Sequence, residues 1–161
     1  MHNYCNYIYT MGKLEVEIQQ QQNFGNEYEK VMVNILYTSS WLYNMNVARM
    51  KKHSVTPEQY NVLRILRGSA PKPLMLGDIT SRMIDKSSNA TRLVEKLRQK
   101  GLVDREICKN NRRQVDINIT PKGLLILKNL DAESDLWIKM MQGINKKEAQ
   151  QLNKLLDKLR K

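Results

Sequence analysis

Between Asp85 and Gly123 three apolar periodicities follow one another, and few folds accommodate that succession in so short a stretch. The segment reads DKSSNATRLVEKLRQKGLVDREICKNNRRQVDINITPKG. Ala90, Leu93, Val94 and Leu97 recur at i, i+3, i+4 and i+7, which predicts a helix from near Ser87 to Gly101, a natural C-terminal stop. The opposite side of that helix carries Ser88, Arg92, Lys96 and Gln99, a row of donors and acceptors. After Gly101 the period becomes two: Val103, Arg105 and Ile107 alternate with Leu102, Asp104 and Glu106, and Val115, Ile117 and Ile119 alternate with Asp116 and Asn118. Two strands are implied, joined by the polar tip Cys108 to Arg113. Thr120 and Pro121 then supply an N-cap and a first helical residue.

Helix, basic-tipped hairpin, helix is the order of a winged helix-turn-helix, in which the helix reads a major groove and the wing reaches phosphates or the next minor groove. Charge supports this. From Arg82 to Arg113 there are ten Lys or Arg against four Asp or Glu, a surplus of six out of the chain's net +11. A solvated helix followed by an ordinary surface hairpin is the plainer alternative. The residues expected to meet DNA are Ser87, Ser88, Asn89, Thr91 and Arg92 at the helix start, with Lys86 and Lys96 on phosphates. Arg92 has Glu95 and Glu106 as competing partners. At the hairpin tip the candidates are Lys109, Asn110, Asn111, Arg112 and Arg113, one of the two arginines entering the minor groove and the other tying the wing to the body.

From about Thr56 to Gly123 these residues resemble the MarR (multiple antibiotic resistance regulator) transcription factors. TRLVEKLRQKGLVDR (Thr91 to Arg105) and NRRQVDINITPKG (Asn111 to Gly123) are the most specific pieces. Family members usually carry acidic residues in the wing just before the paired arginines; here Cys108 and Asn111 stand there, removing negative charge. The resemblance implies a homodimer on a pseudo-palindromic operator, acting as a repressor released by a small aromatic ligand. It places such a ligand between the DNA-binding lobe and the dimer helices, where Tyr37, Trp41, Met45 and Tyr60 are candidate lining residues, against the simpler reading of each as core. Other members sense oxidants through cysteine, for which Cys5 and Cys108 are the candidates; only Cys108 has basic neighbours to lower a thiol pKa. Outside the family, an architectural DNA-binding protein without a single operator would fit the same charge.

The expected fold class is mainly α with a small β-wing (α+β), in one domain over residues 1–161. Residues 55–120 form the winged helix-turn-helix lobe, and 12–52 and 121–161 form dimerisation helices. A chain of 161 residues, 41% hydrophobic and 27% charged, is ordinary for a globular protein. Its pI near 9.7 points to nucleic acid or an anionic membrane surface. No apolar run approaches the roughly 20 residues of a membrane span, and no signal-peptide pattern is present, so the expected location is the cytoplasm. The two cysteines and two histidines, Cys5, Cys108, His2 and His53, are scattered and suggest neither a disulfide framework nor a metal site. With no glycine-rich phosphate loop and no Ser, His and Asp set, the sequence predicts neither cofactor nor enzymatic activity.

Along the rest of the chain, MGKLEVEI from Met11 reads as a natural protein start, which raises an upstream choice of start codon for Met1 to Thr10. Leu14 and Ile18 predict a short helix. Asn26 and Glu29 suggest a capping box for a long helix to about Lys51 bearing Val31, Ile35, Leu42 and Met45. Its extra apolar residues Met32, Leu36, Trp41 and Tyr43 are too many for one stripe and suggest a second subunit. Thr56, Pro57 and Gln59 open the next helix and Gly68 ends it. A short strand is expected at Leu74 to Leu76, then a helix through Leu76, Ile79 and Met83. Beyond Pro121 one long helix is expected through Leu124, Leu127, Leu130, Trp137, Ile138 and Met141, broken at Gly143. Asn145 and Glu148 then cap a last helix striped by Ala149, Leu152, Leu155, Leu156 and Leu159. Excess apolar surface on both terminal helices favours a twofold dimer over a monomeric bundle.

Overall fold

The structure, a computed structural model, describes residues 13–107, 115–140 and 143–161. They fall into two compact units, one ending at residue 49 and the other beginning at residue 50.

The first unit holds helix α1 (Lys13–Glu17) and most of α2 (Glu27–Lys51). The Asn26 side chain accepts from the Glu29 N–H at 2.9 Å, as an N-cap does, while the Glu29 carboxylate accepts from the Gly25 N–H one residue earlier than a standard box requires. Glu15 is buried on α1 and pairs with Lys30 of α2 at 2.7 Å. That ammonium holds the Glu15 carboxyl below its ordinary pKa. Of the expected α2 stripe, Ile35, Leu42 and Met45 are half-buried and Val31 is exposed, as are Met32, Leu36, Trp41 and Tyr43.

The second unit begins with the end of α2, where Met50 is buried, and continues through α3 (Pro57–Arg67), α4 (Leu76–Arg82), α5 (Ala90–Gln99), β1 (Val103–Ile107), β2 (Val115–Ile119), α6 (Pro121–Ala132), α7 (Ser134–Met140) and α8 (Lys146–Leu159). The Thr56 hydroxyl accepts from the Gln59 N–H, and the Gln59 side chain accepts from the Thr56 N–H, both at 3.3 Å, closing the capping box of α3. Val62, Leu63 and Leu66 of α3 sit at the centre of one apolar core with Ile79 of α4, Val94 and Leu97 of α5, Val103 and Ile117 of the hairpin, and Leu127 and Leu130 of α6.

The strands pair antiparallel, Val103 opposite Ile119 and Ile107 opposite Val115. In place of the short strand expected at Leu74 to Leu76 there is a single bridge, Leu74 to Ile117. Strand geometry stops there because Met75 is already the N-cap of α4, its N–H donating to the Asp78 carboxylate at 3.1 Å. Gly101 takes φ +69° directly after α5, the left-handed conformation that lets the chain leave a helix and enter β1. Gly123, in the first turn of α6, leaves no room for a side chain: a Cβ there would stand 2.4 Å from the Leu102 carbonyl oxygen.

The long helix expected beyond Pro121 is two helices, α6 and α7, parted at Glu133. Asp131 accepts from Arg67 at 2.5 Å, and Glu133 meets His53 at 3.1 Å. Side chains two residues apart lie on different sides of a continuous helix. The two tethers, to partners far back in the chain, mark where the helical path is interrupted. The final helix, α8, has its full capping box at Asn145 and Glu148 and buries no residue within the chain.

Candidate nucleic-acid interface

The helix expected from near Ser87 starts instead at Ala90. Three candidate caps, Ser87, Ser88 and Asn89, stand in a row there, and Asp85 decides among them. Its carboxylate accepts from the Ser87 N–H at 2.9 Å and from the Ser87 and Ser88 hydroxyls at 2.7 Å each. Those bonds, Ser87's foremost, hold the Asp85 carboxyl below its ordinary pKa. With both serines engaged, Asn89 becomes the N-cap, its side-chain oxygen accepting from the Arg92 N–H at 3.0 Å. Each serine hydroxyl has a single proton to give, and in this arrangement it is given to Asp85. What remains on the outside is lone pairs.

The turn ahead of α5 is held from several sides. Lys86 donates to the Thr80 and Ser81 carbonyls, closing the C-terminal end of α4 as a basic residue does near a helix end. The Ile84 N–H donates to the Asn61 side chain at 2.9 Å, and Arg82 donates to the Ser69 hydroxyl at 2.9 Å. At the other end of α5, Lys100 donates to the Ser54 carbonyl at 2.7 Å and to the buried Gln59 side chain at 2.9 Å. Thr120 donates to the Gly101 carbonyl and Lys122 to that of Lys100, at 2.8 and 2.9 Å. The helix is therefore pinned at both ends, and its rotation about its own axis is set by the burial of Ala90, Val94 and Leu97.

That rotation turns Thr91, Arg92, Lys96 and Gln99 outward, all exposed. With Asn89 and Glu95 they line a shallow depression along the helix. Glu95 does not pair with Arg92. Its carboxylate accepts from Arg98 at 3.0 and 2.8 Å and from Gln99 at 3.3 Å. The Arg98 guanidinium holds the Glu95 carboxyl below its ordinary pKa, and the nearby Arg105 of β1 adds to the effect. Among the described residues Arg92 forms no ion pair, so its guanidinium is available to an outside acceptor.

The structure thus gathers Ser87, Ser88, Asn89, Thr91, Arg92 and Lys96 at one end and along one side of α5, and sets Lys86 against α4 instead. Of the wing, strands β1 and β2 are described; Cys108, Lys109, Asn110, Asn111, Arg112 and Arg113 lie outside the described residues, as does Cys5. Tyr37 and Trp41 are exposed and Met45 half-buried, at successive turns of α2. Tyr60 belongs to the second unit, where its hydroxyl accepts from Arg64 at 3.0 Å and the guanidinium lies 5.8 Å from the ring centroid. Sequence reasoning missed Asp85 and Arg98, for which the available signals were the D-x-S-S spacing and the i, i+3 relation of Glu95 to Arg98. Among the described residues no group of three His, Cys, Asp or Glu is placed to hold a metal ion, and no helix is long and apolar enough to cross a membrane.

Comparison with known proteins gives a consistent result. The sequence model of the MarR family matches residues 55–115. Over 109 residues the chain is 31% identical to the uncharacterized HTH-type transcriptional regulator YkoM of Bacillus subtilis, covering 67% of this chain and 70% of that protein. It is 26% identical over 117 residues to the HTH-type transcriptional repressor IacR of Pseudomonas putida, 71% of this chain and 69% of that protein. In three dimensions it is similar to BpsR of Bordetella bronchiseptica, whose DNA binding is regulated by 6-hydroxynicotinic acid. The TM-score is 0.63 at 21% identity, over 80% of this chain and 99% of that one.

Proposed function

The chain belongs to the MarR family of DNA-binding transcriptional regulators, and from that premise we propose that it acts as a homodimer on a pseudo-palindromic operator, as a repressor released by a small aromatic ligand. The observation that carries the DNA-reading part is α5 itself, pinned at both ends with Thr91, Arg92, Lys96 and Gln99 facing outward from a buried apolar side. Ahead of it the Asn89 side-chain amide can donate to a base or phosphate, while the Ser87 and Ser88 hydroxyls, their protons given to Asp85, offer lone pairs to base amino groups. In this reading the wing residues Lys109, Asn110, Asn111, Arg112 and Arg113 flank the groove.

Dimerisation has its own support. Leu152, Leu155 and Leu159 of α8 are 43%, 55% and 59% exposed, and Met32, Leu36, Trp41 and Tyr43 of α2 are exposed as well. These side chains are already about half covered, so an interface that buries them fully contributes, for each, roughly half of the 1.5–3 kcal/mol of a fully exposed one. The repressor sense draws on the similarity to IacR, and the aromatic effector on the similarity to BpsR together with the aromatic side chains Tyr37 and Trp41 of α2. The cytoplasm is the compartment that goes with this role.

The test is a gel-shift titration on duplex selected from genomic fragments. Arg92→Ala with Lys96→Ala, and separately Arg112→Ala with Arg113→Ala, weaken binding at least about tenfold while size-exclusion chromatography still shows a dimer. A dimer meeting roughly 8 phosphates gives a slope near −7 in log K against log salt. Unchanged binding in both variants, or a nearly flat salt response, would refute the proposal.

A further inference from the structure

On the reading that α5 enters the major groove, one residue on its outward side has the wrong charge. Glu95 lines the same depression as Arg92, Lys96 and Gln99, and its side chain is 37% exposed. A carboxylate set among phosphates is repelled by about 1 kcal/mol per unit charge at 4 Å even in bulk water. It therefore weakens binding unless the DNA offers it a hydrogen-bond donor. Phosphates and deoxyribose offer none, and in the major groove the donors are the amino groups of cytosine and adenine.

The carboxylate is also fixed in place. Oε2 accepts from Arg98 Nε at 3.0 Å, and Oε1 accepts from Arg98 Nη2 at 2.8 Å and from Gln99 Nε2 at 3.3 Å. A carboxylate has about four acceptor positions. Among the described residues three are filled, all from its own helix, which leaves one on Oε2. The Arg98 contact holds the group ionised through the neutral pH range, and it neutralises much of the charge that phosphates would otherwise feel.

We infer that Glu95 is a specificity-determining residue, accepting a hydrogen bond from the N4 amino group of a cytosine in the operator while Arg98 acts as its positioning residue. Adenine is the poorer match because its amino group stands beside N7, an acceptor that would face the carboxylate. Cytosine presents its amino group with only C5–H beside it, and guanine and thymine present acceptors. Across a C·G pair the guanine offers O6 and N7 to a cation. Arg92, one turn earlier on the same side of α5, carries the donors for it. The inference rests on the DNA-reading role proposed above, and the experiment separates the two.

The full chain and its Glu95→Ala, Glu95→Gln and Arg98→Ala variants are each used to select from a randomised duplex pool, and each is titrated with non-specific duplex over a range of salt. The wild type enriches one position at which cytosine is preferred roughly tenfold. Glu95→Ala levels that position and leaves the others. Its non-specific affinity rises about two- to fivefold, and its salt slope steepens by about 0.9 as Arg98 is released to the phosphates. Glu95→Gln keeps the shape of the side chain but adds a donor, so the same position admits purines. Arg98→Ala blunts the cytosine preference without abolishing it. Retention of every wild-type preference by both Glu95 variants overturns the inference, as does a uniform loss at all positions accompanied by a lower Tm, which marks a purely structural role. A wild type that selects no sequence overturns the regulator proposal itself.

Discussion

Helices α5 and α8 are both amphipathic, yet the chain uses their two sides in opposite ways. The apolar side of α5 is sealed in the core, with Leu97 fully buried, and its polar side carries the candidate interface. In α8 no residue is buried, and the apolar side, Leu152, Leu155 and Leu159, is the part left open. A buried stripe fixes the orientation of a helix and frees its other side for recognition; an open stripe on an equally well-capped helix is itself a recognition surface. Hydrophobic pattern alone does not distinguish the two.

The largest expected effect comes from removing the open stripe. On the proposed dimer, Leu152→Glu with Leu155→Glu separates the two copies and lowers operator affinity about a hundredfold or more, because the second half-site of the proposed operator is no longer engaged by a linked partner. Sedimentation and gel-shift measurements on one sample check this, and a double variant that stays dimeric breaks the comparison. Next in size is the sealed stripe: Leu97→Ala lowers stability by about 2–5 kcal/mol. In the dissociated background Leu159→Ala changes stability by no more than about 0.5 kcal/mol. Denaturant titrations of the two variants sharpen the contrast, and equal losses would erase it.

The smallest effect is a pH dependence at the entrance to α5. The Asp85 carboxyl is held below its ordinary value by Ser87 and Ser88. Its contribution to the folded chain is thus fully present above about pH 4, the ordinary aspartate range, and is lost as the pH falls through the lower folded value. Thermal melting of wild type and Asp85→Ala should differ at neutral pH and converge in acid. A difference that persists undiminished in strong acid would show that the Asp85 bonds do not set the turn.

Much of this fold could be read from local spacing. The boxes at Thr56 and Gln59 and at Asn145 and Glu148, the Thr120–Pro121 start of α6 and the two strands all depend on residues within a few positions of one another, and each appears where the spacing puts it. The outward placement of Arg92 and Lys96 was legible for the same reason, since the helical period fixes it once the apolar stripe is known. The start of α5 was not, because Ser87, Ser88 and Asn89 are all good caps and the choice is made by Asp85. Nor was the break between α6 and α7. It is marked by contacts to Arg67 and His53, 64 and 80 positions away, which no local pattern encodes. Glu95 posed a third kind of difficulty: Arg92 and Arg98 lie at i−3 and i+3 from it, equivalent by spacing, and only packed side chains separate them.

The missing side chain at Gly123 bears on how movement travels through this unit. With the Leu102 backbone pressed against it and the Thr120 and Lys122 side chains tied to the two residues before Leu102, the front of α6 and the tail of α5 meet without slack. A tilt of α6 must therefore swing α5 with it, like two spokes set in one hub. A single methyl group at position 123 would act as a wedge in that joint, displacing α5 from a point in the first turn of α6.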